Sequence, residues 1–138
     1  MSRYINPETG GKERARLTKM IVLAIRELMS QTSVTDTSYD LVAFIILALE
    51  DVYQTIDSSV AAWEKKGYWL KADKYRLDWE WSDSFARSLK EALKKEDWGS
   101  IALKSAQIAQ KLGDIQISAR HRLGAPWVSA YAKLKTDR

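Results

Sequence analysis

His121 is the only histidine in the 138 residues, and it sits between Arg120 and Arg122 in a polar stretch; there is no cysteine. A lone imidazole without thiols cannot supply the clustered nitrogen and sulfur ligands of a zinc site. It also has no nucleophile and base arrangement of the Cys-His or Ser-His-Asp kind to join. Exposure on the surface is the expected role of His121. Gly10-Gly11-Lys12 shares letters with a phosphate-binding loop, which needs a further glycine five residues before the Gly-Lys pair and a hydroxyl after it to hold magnesium. Here those positions are Asn6 and Glu13, so the stretch reads as part of a flexible leader over residues 1–11.

Carboxylates offer the subtler chemistry. All-α magnesium-dependent nucleotide hydrolases hold their metal with Glu and Asp three and four residues apart on facing helices. Glu80 and Asp83 have that spacing, and Glu50, Asp51 and Asp57 supply acids on a preceding segment. Yet Arg76 lies four residues before Glu80, and Arg87 four residues after Asp83. Such pairs of opposite sign decorate solvated helix faces and are worth a few tenths of a kcal/mol each. The expectation is a surface ladder, with no metal, no cofactor and no catalytic residue.

Charge is distributed unevenly: residues 1–35 carry net +3, 36–66 net −4, 67–97 zero and 98–138 net +5, within a total of +4. If the first and fourth helices are neighbours, Lys12, Arg14, Arg16, Lys19, Lys104, Lys111, Arg120 and Arg122 form one basic face suited to phosphates or an acidic protein. That face has little aromatic interleaving, so nucleic-acid binding stands as an alternative rather than the leading reading.

The elements that carry these residues follow from apolar periodicity. Leu17, Ile21, Ala24 and Leu28 recur at helical spacing, predicting a first helix over 12–31. Thr37 and Asp40 have capping-box spacing at the start of a second helix over 37–66, and Gly67 suits the left-handed position after its end. The third helix is predicted over 68–95. Its seam is Ala72, Tyr75, Trp79, Ser82, Ala86, Leu89 and Leu93; a second apolar line of Leu70, Leu77, Trp81, Phe85 and Ala92 runs about 120° around from the first. Two buried lines imply two neighbours. A fourth helix begins near Trp98, and Pro126 is placed to open a short last helix carrying Trp127, Tyr131 and Leu134.

With 46% hydrophobic residues and two prolines, the chain is expected to form a single all-α domain. The architecture is an up-down-up-down four-helix bundle over 12–118, with a tail over 119–138 that ends in a short extra helix. The N-terminus lacks an apolar signal segment, and the apolar runs at 20–25 and 41–49 are shorter than the roughly 20 residues of a membrane span. A cytoplasmic location without membrane contact is expected. Of the six tryptophans, Trp63, Trp79, Trp81 and Trp98 read as core, whereas Trp69 falls on the charged side of its helix.

The leading functional reading is a non-enzymatic helical interaction module, self-associating or part of a larger assembly. The run 41–49 is apolar around its whole circumference, more than a bundle helix requires. It therefore suggests a dimer surface built from Phe44, Ile46 and Leu47, together with Trp127, Tyr131 and Leu134 of the tail; the alternative is that the tail covers the run within one chain.

Overall fold

The computed structural model describes residues 7–137, and every regular element among them is an α-helix. The helices are α1 (Pro7–Met29), α2 (Asp36–Lys65), α3 (Trp69–Trp79), α4 (Trp81–Lys94), α5 (Trp98–Lys111) and α6 (Ala130–Asp137). α3 and α4 together fill the third long segment, so the layout is a four-helix bundle with a short C-terminal helix. Side-chain pairs run in opposite order along successive helices: Arg14 meets Thr55, Glu64 meets Arg76 while Glu50 meets Lys90, and Phe85 meets Lys104. The first and fourth long helices, α1 and α5, are in contact as expected.

Three boundaries differ from the sequence reading, each for a local reason. α1 starts at Pro7, where a residue without an N–H is tolerated in the first turn, so 7–11 are helical rather than a flexible leader. The rest of that leader, residues 1–6, lies outside the described residues. At the start of α2, Ser38 Oγ accepts from the Thr35 N–H at 3.0 Å, placing the cap two residues earlier than Thr37. Asp40 is thereby released for another task. Its carboxylate accepts from the Tyr131 N–H at 2.9 Å and the Ser129 N–H at 3.3 Å. Ser129 has φ 65°, and α6 begins after it at Ala130 rather than at Pro126.

α2 is the hub of the molecule, in contact with α1, α3, α4 and α6. Leu41, Val42, Ala43, Ile45, Ile46, Ala48 and Leu49 are all buried, which accounts for an apolar run with no polar side. Two α2-based clusters result. The larger joins α1, α2, α4, α5 and α6; the smaller consists of Ile56, Val60 and Ala72, with Trp63, Tyr75 and Trp79 packed on it.

The turns on either side of the third segment share one hydrogen-bond pattern. After α2, the Tyr68 N–H reaches the Trp63 carbonyl at 2.8 Å and the Gly67 N–H reaches Glu64 at 3.0 Å, with Gly67 at φ 82°. After α4, the Asp97 N–H reaches Ala92 at 2.9 Å and the Glu96 N–H reaches Leu93 at 3.1 Å, with Glu96 at φ 52°. Both are Schellman caps. Glu96 occupies a position that favours glycine, and its carboxylate accepts from the Tyr39 hydroxyl across the bundle. That bond raises the tyrosine pKa. Asp97 then caps α5, accepting from the Ser100 N–H at 3.1 Å and its hydroxyl at 2.7 Å.

Candidate interaction surface

The third segment breaks at Glu80, between two tryptophans. Ser82 Oγ donates to the Trp79 carbonyl at 2.7 Å, a back-bond of the kind that bends helices. Trp79 and Trp81, about 200° apart on a regular helix, stack here with centroids 5.8 Å apart and planes inclined by 25°. The break also marks a change in surroundings. α4 packs on α2 with one face and on α5 with another. α5, however, ends at Lys111, whose Nζ lies 5.5 Å from the Trp81 ring centre. It stops abreast of the beginning of α4 and does not extend along α3.

The expected second apolar line therefore divides in two. Trp81, Phe85 and Ala92 meet the core, as a helix with two neighbours requires. Leu70 and Leu77 do not, and they are 88% and 68% exposed. Trp69 and Tyr68 beside them are 59% and 56% exposed. Among the described residues, four of the eight exposed large apolar side chains thus lie within 68–77, so the apolar surface is concentrated rather than scattered. Such concentration marks interaction sites on soluble proteins, whereas single exposed leucines do not.

Beneath this face α3 is held firmly. Ala72 is buried on the opposite side, Trp63 and Tyr75 meet edge to face at 4.8 Å, and Arg76 bridges Glu64 of α2 at 3.0 Å. Arg14 of α1 reaches across: Nη1 donates to Thr55 Oγ1 at 3.0 Å and Nη2 donates to the Tyr75 hydroxyl. The guanidinium lies 5.0 Å from the Tyr75 ring centre and 5.9 Å from that of Trp79. Burial lowers the pKa of Arg14, and the neighbouring Tyr75 hydroxyl acts in the opposite sense. This cation, held within 6 Å of both ring centres, ties the inner side of α3 to α1 and α2.

The residues assigned to a basic face are sent to several surfaces. Arg14 is removed from that face by its place between α1, α2 and α3. Arg16 pairs with Glu13 at 2.8 Å, which raises the arginine pKa. Lys104 and Lys111 lie over Phe85 and Trp81 of α4, at 5.2 and 5.5 Å. Lys12, Lys19, Arg120 and Arg122 are exposed.

Of the expected ladder, Asp83 pairs with Arg87 at 3.0 Å, whereas Arg76 turns away from Glu80 to pair with Glu64 and Asp73, each at 3.0 Å. Glu50 pairs with Lys90 at 3.8 Å. A cleft of about 660 Å³ beside the helix break mixes Asp78, Glu80 and Asp83 with Arg87 and Lys111. Among the described residues no group of three or more His, Cys, Asp or Glu is placed to hold a metal ion. No described helix is long and apolar enough to cross a membrane.

The suggested dimer surface needs correction. Ile46 and Leu134 are 0% and 5% exposed, while Phe44, Leu47, Trp127 and Tyr131 are partly buried against the same core. The tail covers α2 within one chain. Tyr131 packs on Tyr39 with ring centres 5.1 Å apart and planes inclined by 40°, Tyr39 in turn meets Trp98 at 5.2 Å, and Asp40 fixes the backbone that enters α6.

Comparison with protein-family models, with curated proteins and with solved structures finds no match to this chain. Its function has to be argued from its own geometry. The surface that geometry offers, α3, was visible in the sequence only as Trp69 on a charged side. Leu70 and Leu77 fitted a core pattern whose second neighbour ends too early.

Proposed function

We propose that this chain is a non-enzymatic helical interaction module whose docking surface is the outward face of α3. One observation carries the reading: Leu70 and Leu77 stand exposed on a helix whose inner face is anchored by Tyr75, Arg76 and Trp79. A rigid helix presenting apolar anchors among charged residues is the arrangement used when one helix docks on another surface. Burial of two leucines and an aromatic side chain supplies several kcal/mol of gross apolar stabilisation, at about 1.5–3 kcal/mol per side chain. A reducing cytoplasmic setting suits the module, since the chain has no cysteine to oxidise.

Photo-crosslinking tests this reading at single positions. A benzoyl-phenylalanine placed at Leu70 or Leu77, and at Leu103 on α5 as an exposed apolar control, is irradiated in living cells. Discrete protein adducts from 70 and 77, and none from 103, are expected. Absence of adducts from both α3 positions, with expression intact, contradicts the reading.

A further inference from the structure

α4 and α6 both pack on α2 rather than on each other. A groove of about 370 Å³ is left between them, lined by Lys90, Leu93 and Lys94 of α4 and by Tyr131, Leu134 and Lys135 of α6. That volume lies within the range of small-molecule sites. Half of the lining residues are apolar and half are cationic, and no acid lines the groove. Leu93 and Leu134, both buried, form its base, and the bonds from the Ser129 and Tyr131 N–H groups to Asp40 hold Tyr131 beside them. The lysines are only partly compensated. Lys90 meets Glu50 at 3.8 Å, near the outer limit of an ion pair. Lys135 Nζ lies 4.6 Å from the Tyr131 ring centre, a contact that orients the ammonium without neutralising it. Lys94 is exposed, and among the described residues it makes no ion pair. Lys94 and Lys135 also stand in the last turns of α4 and α6, where the helix dipole favours cations, but each helix end counts for only about half a charge. A surplus of positive charge therefore remains over an apolar base, and the lysine stems add their methylenes to the walls.

We infer that this groove is a binding site for a small amphiphilic anion, a carboxylate or phosphate ester carried on a short alkyl or aryl body. The head lies among the ammonium groups of Lys90, Lys94 and Lys135, and the body lies on Leu93, Tyr131 and Leu134. A neutral apolar ligand would leave the cations without a counter-charge, and a bare inorganic anion would leave the apolar base in water. A groove that combines the two features selects a ligand that has both parts. The site shares no residue with α3, so it stands or falls independently of the docking surface proposed there.

Titration of the ¹⁵N-labelled full chain with octyl phosphate, kept below its micelle concentration, tests the inference in ¹⁵N–¹H correlation spectra. Saturable shifts centred on residues 90–94 and 131–135 are expected, with a dissociation constant on the order of 0.1 mM, as suits a ligand of about a dozen non-hydrogen atoms. Inorganic phosphate and octanol each lack one of the two parts, and each is expected to bind at least about tenfold more weakly. Lys94→Gln with Lys135→Gln should weaken octyl phosphate binding by about tenfold and leave the helical circular dichroism unchanged, since both side chains are exposed. Lys71→Gln with Lys74→Gln, beside the exposed leucines of α3, should leave binding as it is in wild type. Shifts centred on residues 68–78, or binding that follows the α3 variant instead, would reveal an amphiphile settling on any exposed apolar surface and overturn the inference. Inorganic phosphate or octanol binding as tightly as octyl phosphate overturns it too. So does a Lys94 and Lys135 variant that binds like wild type, or the absence of saturable shifts up to about fifty times the expected constant.

Discussion

α3 and α4 are consecutive pieces of one helical segment and pack on the same helix, yet they differ in what covers their other side. α4 has α5 on its second apolar line, and Ala86, Leu89, Ala92 and Leu93 are buried. α3 carries the same line past the end of α5, where Leu70 and Leu77 are exposed, and its one buried residue, Ala72, belongs to the seam that faces α2. The same residue pattern therefore becomes core in one half and surface in the other. A helix's own periodicity says which faces are apolar; the length of its neighbour decides which of them are covered.

The largest test of this contrast compares truncations in the two halves. Leu89→Ala, at a fully buried site, is expected to cost about 2–5 kcal/mol in denaturant unfolding of dilute protein. Leu77→Ala is expected to change stability by less than about 0.5 kcal/mol. Equal costs would break the comparison. Next in size is the anchor under α3: Arg14→Met removes bonds from a charged donor to Thr55 and Tyr75 and should cost about 2 kcal/mol, with loss of amide protection centred on α3 rather than α4. Uniform loss across the chain would deny that Arg14 serves this region.

Much of this architecture is legible in the residues alone, and the failures have identifiable causes. Gly67 marks the end of α2 because a residue without Cβ is free to take φ 82°. The equivalent turn at Glu96 gives no such sign, since nothing in the identity of glutamate announces a left-handed backbone. Asp40 has the spacing of a helix cap but serves α6, 89 and 91 residues further along, a contact that no local pattern encodes. The apolar run at 41–49 correctly signals a helix needing more than two neighbours, without saying that the extra neighbour belongs to the same chain. For the candidate surface, Trp69 was legible as an outlier, whereas the exposure of Leu70 and Leu77 depends on where α5 stops.

Smaller effects sharpen the description of the covered half. Ser105 is fully buried on α5, and among the described residues its hydroxyl has no hydrogen-bond partner. Ser105→Ala should raise stability by about 1 kcal/mol, combining relief of desolvation with better helix propensity. A loss of stability would mean that the hydroxyl is satisfied. The smallest effect concerns Asp97, whose pKa is lowered chiefly by the bonds from Ser100. Because its folded-state pKa lies below the unfolded one, its contribution is complete above the usual aspartate range and fades as pH falls through the folded value. The difference in stability between wild type and Asp97→Ala should therefore be largest at neutral pH and shrink as pH falls from the usual aspartate range into more acidic solution. A constant difference across that range would assign the cap no charge dependence.

Broadening of leucine methyl resonances by a soluble nitroxide, in ¹³C–¹H correlation spectra of dilute protein, tests the central claim most directly: that α3 keeps an apolar face uncovered where α4 does not. The account predicts strong broadening at Leu70 and Leu77 and little at the buried Leu89 and Leu93. Protection of Leu70 and Leu77 equal to that of Leu89 and Leu93 would contradict it.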